Sequence, residues 1–430
     1  MLHSQFEILK SRRFLPLFLT QFLGAFNDNV YKNALVILIT YVAADKADMD
    51  ARLLVTAAAG IFIMPFFLFS AIAGQLADKY EKSRMIRYVK LCEILLMLIA
   101  ALGFYLQDVY LLLTVLFLMG TQSSFFGPLK YSILPDHLHE DEIIGGNGLV
   151  EAGTFLAILL GTILGGILIL KAGGIMIVTV IVILIAVIGW LCSRAIPRTL
   201  PAAPDLKISY NFIAQACHII SKTRRNPPVF RAVIGISWFW LVGFIFLAQF
   251  PIFGKNIIGA NEDVVTLFLT IFSIGIALGS LICNRLLKGE IKATLASVGT
   301  LGMAVFISLL YLVAPGPLAP ALAEDAAYVT LLEFLSQPQS WAILGAMLGI
   351  SISGGIYVVP LYAVMQTVCL PGFRARTIAA NNILNATFMI AGALITMLML
   401  TFNLLITEIF LILGMANFFA TFLLWYRGRS

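Results

Sequence analysis

The sequence predicts an all-α polytopic membrane protein. Three observations carry this prediction: the composition, the recurring apolar runs and the placement of basic residues. Of the 430 residues, 60% are hydrophobic and 12% are charged, whereas soluble domains carry roughly 25% charged residues. Apolar runs of about 20 residues recur along the chain, and about 20 helical residues cross a bilayer core. Because backbone groups in lipid must be hydrogen-bonded within their own segment, these runs are predicted to be helices.

Twelve transmembrane helices are predicted from the apolar runs. The predicted spans are 14–43, 53–75, 86–106, 109–133, 148–170, 174–195, 230–254, 264–287, 292–313, 341–366, 378–401 and 404–426. The first apolar run follows a charged, amphipathic start and is longer than the core of a cleaved signal peptide. We therefore predict that it is retained as a helix.

A linker is predicted between two pseudo-symmetric six-helix bundles, at 1–195 and 230–430. This segment, 196–229, cannot be one helix because it contains Pro197, Pro201, Pro204, Pro227 and Pro228. Its middle carries apolar residues at helical spacing, namely Ile208, Phe212, Ala216, Ile219 and Ile220. The spacing predicts an amphipathic surface helix, with its apolar face on the membrane.

The distribution of lysine and arginine predicts the orientation. With the N-terminus in the cytoplasm, 23 of the 28 basic residues fall in cytoplasmic segments, Lys90 and Lys130 among them, and four fall on the opposite side. Both termini are therefore predicted to be cytoplasmic, and the outer loops 45–50 and 314–340 are acidic instead. The net charge of +6 is explained by topology, so no nucleic-acid partner is expected.

Cysteine and histidine usage predicts neither a metal site nor a disulfide framework. The five cysteines form no C-x-x-C pair, and the four histidines are scattered along the chain. A phosphate-binding G-x-x-x-x-G-K-[ST] motif does not occur. We therefore expect no cofactor and no ATP-driven mechanism.

The first predicted span contains charged residues that need an explanation. Asp28 and Lys32 are four residues apart and so share one helix face, and Asn29 and Asn33 form a second such pair. A charge near the bilayer centre costs at least about 2.5–3.5 kcal/mol, so this face is predicted to look into a cleft between the bundles. A buried Asp28–Lys32 salt bridge that only holds helices together is the structural alternative.

Other polar residues within or next to the spans complete the candidate site. The first half supplies ionisable groups, whereas the second half supplies neutral amides, which suggests that the first half binds charged chemistry. Glu93 is assigned to packing or locking of helices. The candidate ligand-contacting residues are Asp28, Asn29, Lys32, Lys130, Asn147, Glu151, Gln249, Asn381 and Asn385.

The loop after the second span resembles the cytoplasmic signature of the major facilitator superfamily. It reads GQLADKYEKSRMIR, and the resemblance implies gating roles for Asp78, Lys79 and Arg84. Glu81 stands where the family has a second glycine. The second half repeats the loop as GSLICNRLLKGEIK, in which Cys283 takes the aspartate position.

A narrower resemblance is to the lysophospholipid transporter (LplT-like) family of that superfamily. It rests on QFLGAFNDNVYKNAL, GPLKYSIL and NGLVEAGTFLAILLGTILGG. The resemblance implies a flippase that moves lysophospholipids, chiefly lysophosphatidylethanolamine, to the cytoplasmic leaflet of a bacterial inner membrane. A separate acyltransferase would then reacylate them. It also implies that Asp28 senses the headgroup.

The residues allow a consistent assignment for such a substrate. Asp28 and Glu151 would meet the ammonium, and Lys32 or Lys130 the phosphate, with hydrogen bonds from Asn29 and Asn147. Phenylalanine-rich faces at 64–69 and 239–246 would line an apolar slot for the acyl tail.

Two other functions stay open at this point. One is a proton-coupled exporter of drugs or siderophores, in which Asp28 would titrate. The other is a membrane acyltransferase with a His-x-x-x-x-Asp motif, but Glu142 stands at that spacing from His137, and Ile144 at that spacing from His139. We therefore do not expect an enzyme.

Overall fold

A computed structural model of the chain describes residues 5–40, 51–292, 294–316 and 328–427. In this part of the chain, twelve helices have 20 or more residues, and each overlaps one predicted span. They are α1 (Leu15–Leu38), α2 (Ala51–Lys79), α3 (Lys82–Leu106), α4 (Val109–Ser132), α5 (Ile143–Ile169), α6 (Gly174–Arg194), α7 (Pro227–Ile252), α8 (Glu262–Leu287), α9 (Thr294–Val313), α10 (Pro338–Thr367), α11 (Arg374–Thr401) and α12 (Ile406–Arg427). The predicted outer loop 45–50 lies outside the described residues.

Ten of these helices are long and apolar enough to cross a membrane, judged over the described residues. The other two are α1, which carries Asp28 and Lys32, and α12, whose apolar part Ile406–Phe422 is shorter. The all-α polytopic fold is thus confirmed. That all twelve helices cross the membrane stays a prediction, as does the division into bundles at 1–195 and 230–430.

Small residues bring helices within each half into close contact. Gly161 and Gly165 of α5 lie against the α1 backbone at Phe26 and Val30. In the second half, Gly355 of α10 packs against the α8 backbone. Glycine permits such an approach because it has no Cβ. The contact with α5 fixes the rotation of α1, and therefore the direction in which its charged face points.

The two halves meet mainly through two helix pairs, α2 with α11 and α5 with α8, and also through α4 with α11 and α5 with α10. Gly74, near the end of α2, lies against Ala375 and Ala379 at the start of α11. Gly148, near the start of α5, lies against the backbone carbonyl of Ser280 in α8. Both contacts are at the side that the basic residues predict to be cytoplasmic.

Replacing Gly148 by alanine should weaken this contact between the halves. A Cβ at this position would lie 2.5 Å from the Ser280 carbonyl oxygen, so the helices would have to separate. We expect a destabilisation of about 1–3 kcal/mol, measured as a lower melting temperature of the purified protein. Gly60→Ala is the matched control, since a Cβ there meets nothing within 4 Å. Equal melting temperatures for the two variants would contradict the prediction.

The linker crosses the predicted cytoplasmic ends of both halves. Its helix, Phe212–Arg224, buries Ala216 and Ile219 in a cluster with Ala71 of α2 and Ala379 of α11. The prediction that the apolar face lies on the membrane is therefore wrong for these two residues, which pack against protein. The preceding segment pairs with α2, because Ser209 and Gln75 exchange backbone–side-chain hydrogen bonds of 2.9 and 3.1 Å.

Glu81 joins the linker to the start of α3. Its carboxylate caps α3 by accepting from the backbone N–H groups of Ser83 and Arg84, and it also accepts from the Thr199 N–H. Partial burial opposes its ionisation, but these hydrogen bonds together outweigh burial and lower the pKa of Glu81. The residue that replaces the family's glycine therefore acts as a helix cap and a linker contact.

Glu81→Ala should lower the melting temperature, because a lost N-cap costs about 0.5–2 kcal/mol. Glu81→Gln keeps one acceptor oxygen and should lose less. Since the folded-state pKa is below the unfolded one, the ionised group stabilises the fold above the unfolded pKa. That stabilisation disappears as pH falls through the folded pKa. Thermal melting against pH tests this, and a wild-type advantage over Glu81→Gln that grows in acid would contradict it.

Candidate substrate cavity

A cavity of about 540 Å³ lies between the two halves. It extends from the level of Gln21 and Tyr131, towards the predicted cytoplasmic side, to Val36 and Ala58 near the opposite ends of α1 and α2. Helices from both halves line it: α1 to α5 on one side and α7, α10 and α11 on the other. The predicted cleft between the halves is therefore present in the structure.

The charged face of α1 points into this cavity, as predicted. Asp28 accepts a hydrogen bond of 2.9 Å from the hydroxyl of Ser123 in α4. The Lys32 ammonium lies 4.4 Å from the centroid of the Phe62 ring in α2. Within the described residues, no ion pair of 4.0 Å or less joins Asp28 to Lys32. The alternative of a structural Asp28–Lys32 salt bridge is therefore not supported.

Three more of the predicted residues line the cavity. Asn29 lies on α1 and donates to the Ala25 carbonyl of its own helix. The Lys130 ammonium lies 4.7 Å from the centroid of the Tyr131 ring. Asn385 of α11 accepts a hydrogen bond of 2.8 Å from Ser237. Together with Asp28 and Lys32, five of the nine candidates are brought to one site.

Lys90 lines the cavity, so the prediction that it lies in a cytoplasmic segment is wrong. It lies inside α3, is 1% exposed, and pairs with Glu93 one turn later at 2.5 Å. Glu93 also accepts hydrogen bonds from Asn27 (3.0 Å) and Gln122 (3.2 Å). The signal that could have found the pair is its i, i+3 spacing within an otherwise apolar run. Lys130 was likewise counted as cytoplasmic, although it lies at the cavity.

The remaining cavity wall is mainly apolar and aromatic. On the first half it is formed by α2 and α4, through Phe62, Ile63, Phe66 and Phe126. The second half contributes Trp240, Phe244, Leu247 and Met389. Parts of both predicted phenylalanine-rich faces are therefore at the cavity, whereas Met64 and Phe67 of the first face point outward and are 46% and 43% exposed.

Two stacked tyrosines form the floor of the cavity. Tyr131 of α4 and Tyr362 of α10 have ring centroids 4.4 Å apart and planes inclined by 10°. Tyr131 donates to Glu151 at 2.5 Å, and Trp240 donates to the Tyr362 hydroxyl at 3.1 Å. Glu151 is fully buried and does not line the cavity. Its placement as a direct ligand contact is therefore corrected, since Tyr131 lies between Glu151 and the cavity.

The other three candidates are also placed away from the cavity wall. Asn147 exchanges two hydrogen bonds, of 2.8 and 2.9 Å, with Gln366 of α10, so it joins the halves below the floor. Asn381 of α11 is 1% exposed and is not among the residues that line the cavity. Gln249 is buried near the opposite end of α7. The sequence shows that these three amides lie within or next to predicted spans. Whether each side chain faces the cavity depends on how the neighbouring helices pack.

Charged residues close the predicted cytoplasmic end of the cleft. Asp78 is completely buried and accepts hydrogen bonds from the Ala375 N–H at 3.0 Å and from the Arg376 Nε at 2.8 Å. Asp136 pairs with both Lys82 and Arg374 at 2.8 Å. Asp78 thus joins α2 to the start of α11, and its gating role stays a prediction.

The other two predicted gating residues make local contacts. Lys79 lies near the ring of Tyr80, and the Arg84 Nε donates to the Tyr88 hydroxyl within α3. The cross-half basic partners, Arg374 and Arg376, were missed by the prediction. Their signal was an Arg-x-Arg sequence directly before a predicted span. Among the described residues, no group of three or more histidine, cysteine, aspartate or glutamate side chains is placed to hold a metal ion.

Comparisons with known proteins agree with this architecture. The profile described as the Major Facilitator Superfamily matches residues 17–385. The lysophospholipid transporter LplT of Photorhabdus laumondii is 25% identical over 369 residues, which are 84% of this chain and 82% of that protein. LplT of Serratia proteamaculans is 27% identical over 368 residues, covering 83% of this chain and 81% of that protein.

A solved structure supports the fold independently of close sequence similarity. The fucose:proton symporter FucP of Escherichia coli superposes with a TM-score of 0.70 at 12% identity, over 100% of both chains. At this identity the likeness concerns the fold alone. From the profile match, the two-half helix packing and the cavity between the halves, we conclude that this multi-pass membrane protein belongs to the Major Facilitator Superfamily, and that its sequence is similar to the LplT transporters.

Proposed function

We propose that the chain is an alternating-access flippase that moves lysophospholipids, lysophosphatidylethanolamine in particular, to the cytoplasmic leaflet of a bacterial inner membrane. The observation that carries the proposal is the charged face of α1, with Asp28 and Lys32, in a cavity whose other walls are largely apolar. Such a cavity suits an amphiphile with a charged head. The names of the LplT relatives point to the same substrate class.

The headgroup is assigned to the first half of the protein. Asp28 would bind the ammonium of ethanolamine, and the ammonium groups of Lys32 and Lys130 would bind the phosphate. In the described residues, neither lysine has a carboxylate partner within 4.0 Å, so both are available to an anion. Charge-assisted hydrogen bonds of this kind contribute about 1.5–3 kcal/mol each.

The acyl tail is assigned to the space between α2 and α11. These helices are in contact near Gly74 and Ala379, at the predicted cytoplasmic end. Towards the other end, α2 presents Phe62 and Phe66 to the cavity, and α11 presents Met389. Met64 on α2 and Ile390 on α11 are 46% and 43% exposed there, in a region that lipid would cover. A tail lying in this slot would stay in an apolar environment while the head binds Asp28.

Contacts between the halves close the predicted cytoplasmic end, and they determine which step must follow substrate binding. Release inward requires the Tyr131–Tyr362 stack, the Asn147–Gln366 pair and the Asp78–Arg376 contact to separate, because each joins the two halves. Their separation, together with closure of the opposite end, would expose the same site to the cytoplasmic leaflet. A separate acyltransferase would then use the delivered lysolipid.

The proposal is tested by transport of labelled lysophosphatidylethanolamine into the inner leaflet of proteoliposomes. We expect protein-dependent translocation without ATP, and none in protein-free liposomes. Accumulation of cationic drugs is measured in the same preparation, because drug movement without lysolipid movement would favour a proton-coupled exporter instead. Formation of diacyl product after addition of an acyl donor would support the acyltransferase and overturn the proposal.

A further inference from the structure

The charged groups of Lys90, Asp28 and Lys32 follow one another along the cavity face of α1. Gly24, Asp28 and Lys32 are four residues apart, so they share a face, with about 6 Å of helix rise between neighbours. Gly24 has no side chain, and the ammonium of Lys90 lies against it. The face therefore presents Lys90, Asp28 and Lys32 in the order positive, negative, positive, with Lys90 deepest.

The position of Lys90 differs from that of the other two lysines. Lys32 and Lys130 lie over aromatic rings, whereas Lys90 is held by the Glu93 carboxylate and also lies 5.1 Å from the Phe126 ring centroid. Lys90 nevertheless belongs to the cavity wall. Its charge is thus close to the headgroup site and is paired with the Glu93 carboxylate.

The surroundings of Glu93 allow Lys90 to leave without stranding a buried charge. Glu93 is 2% exposed, so an unpartnered carboxylate there would be costly. It keeps two amide donors, Asn27 at 3.0 Å and Gln122 at 3.2 Å, when Lys90 turns away. Gln122 also lies next to Ser123, which donates to Asp28. Glu93 would therefore keep two hydrogen bonds if Lys90 changed partner, whereas the carboxylate of an isolated ion pair would keep none.

We propose that Lys90 is a third phosphate-binding residue beside Lys32 and Lys130, one helical turn deeper than Asp28, and that the substrate phosphate replaces Glu93 as its partner. The inference rests on the proposed function and adds a specific residue to it. A phosphate that first meets Lys32 would reach the Lys90 ammonium as the headgroup moves inward past Asp28. Glu93 is then a positioning residue that competes with the substrate for Lys90.

Opposite effects of two substitutions test this competition. In binding measurements on the full-length protein in nanodiscs, Lys90→Gln/Glu93→Gln should bind lysophosphatidylethanolamine about tenfold more weakly than wild type, the effect of about 1.4 kcal/mol. Glu93→Gln alone should bind it more tightly, because the competing carboxylate is gone. Lys171→Gln, which removes an exposed lysine outside the cavity, is the control and should leave affinity unchanged.

Two further ligands identify the group that Lys90 recognises. Monoacylglycerol has the tail but no phosphate, so its affinity should be equal in all four proteins. Inorganic phosphate at millimolar concentration should not displace the lysolipid, whereas displacement would overturn the assignment to a lipid headgroup.

The outcomes separate the two proposals. If wild-type protein binds no lysophosphatidylethanolamine, the proposed function fails. If wild type binds it and the double variant binds it equally well, only the Lys90 assignment fails. A structural role for the Lys90–Glu93 pair predicts weaker binding by Glu93→Gln, which would also overturn the assignment. Should Glu93→Gln not fold, the double variant decides, because it removes both charges together.

Discussion

Replacing Asp28 by asparagine should reduce lysophosphatidylethanolamine transport by about 10- to 100-fold, while the protein still folds. Asparagine keeps an oxygen that can accept from Ser123, but it loses the negative charge that would bind the substrate ammonium. A hydrogen bond to a charged group is worth about 1.5–3 kcal/mol, which corresponds to this range. The measurement is the initial rate of translocation in proteoliposomes at equal protein content.

The control for this experiment removes another aspartate charge away from the cavity. Asp108 caps the N-terminus of α4, where it accepts from the Leu111 N–H. Asparagine is an equally good N-cap, so Asp108→Asn should transport at the wild-type rate. Retained transport in Asp28→Asn would show that the carboxylate of α1 does not carry the headgroup, and would remove the main support for the proposed site.

Asp78→Asn should open the predicted cytoplasmic end of the cleft. Asp78 accepts from two backbone N–H groups at the start of α11 and from the Arg376 guanidinium, all in a buried setting. Loss of one partner of a buried ion pair typically costs about 3–5 kcal/mol. The negative charge also lies at the N-terminal end of α11, where the helix dipole favours it. We therefore expect Asp78→Asn to remove most of the free-energy difference that favours the closed cleft over an open one.

Accessibility of a buried position between α2 and α11 measures this opening. Ile383 is 2% exposed and packs in the cluster with Ala71. In a protein without the five native cysteines, Ile383→Cys should react slowly with a maleimide. Adding Asp78→Asn should raise the rate by at least about 100-fold, since each 1.4 kcal/mol is about a factor of ten and the lost contact costs about 3–5 kcal/mol.

The matched control for Asp78→Asn is Asp205→Asn, which removes an exposed charge from the linker. It should leave the labelling rate unchanged. Equal labelling of the Asp78 variant and its parent would mean that the contact with Arg376 does not hold the cleft closed.

The helices and the charged face of α1 were predictable because they depend on local properties. Apolar length identifies a span without knowledge of its neighbours, and the spacing of Asp28 and Lys32 places both on one face whatever that face meets. The cost of a charge in lipid then excludes a lipid-facing direction. For these reasons the predicted spans and the two α1 charges correspond to the helices and cavity residues found.

The prediction for Lys90 was wrong because it also used local properties alone, whereas the burial of Lys90 depends on other helices. A count of basic residues near span ends treats each lysine as solvated, and Lys90 lies only eight residues into α3. Its burial depends on the missing side chain at Gly24 and on the carboxylate of Glu93, with amide donors from α1 and α4. The surroundings of Lys90 come from three helices, α1, α3 and α4, so the sequence of any single helix does not predict them.

By itself, the sequence determined where the long apolar helices lie and that Asp28 and Lys32 share one face of α1. Only the tertiary structure decided the partners. Asp78 meets Arg376 across 298 residues of chain, and Asn147 meets Gln366 across 219. The physical reason is that hydrophobic periodicity specifies a face of a helix, whereas the partner of a polar group depends on the rotation and depth of a different helix.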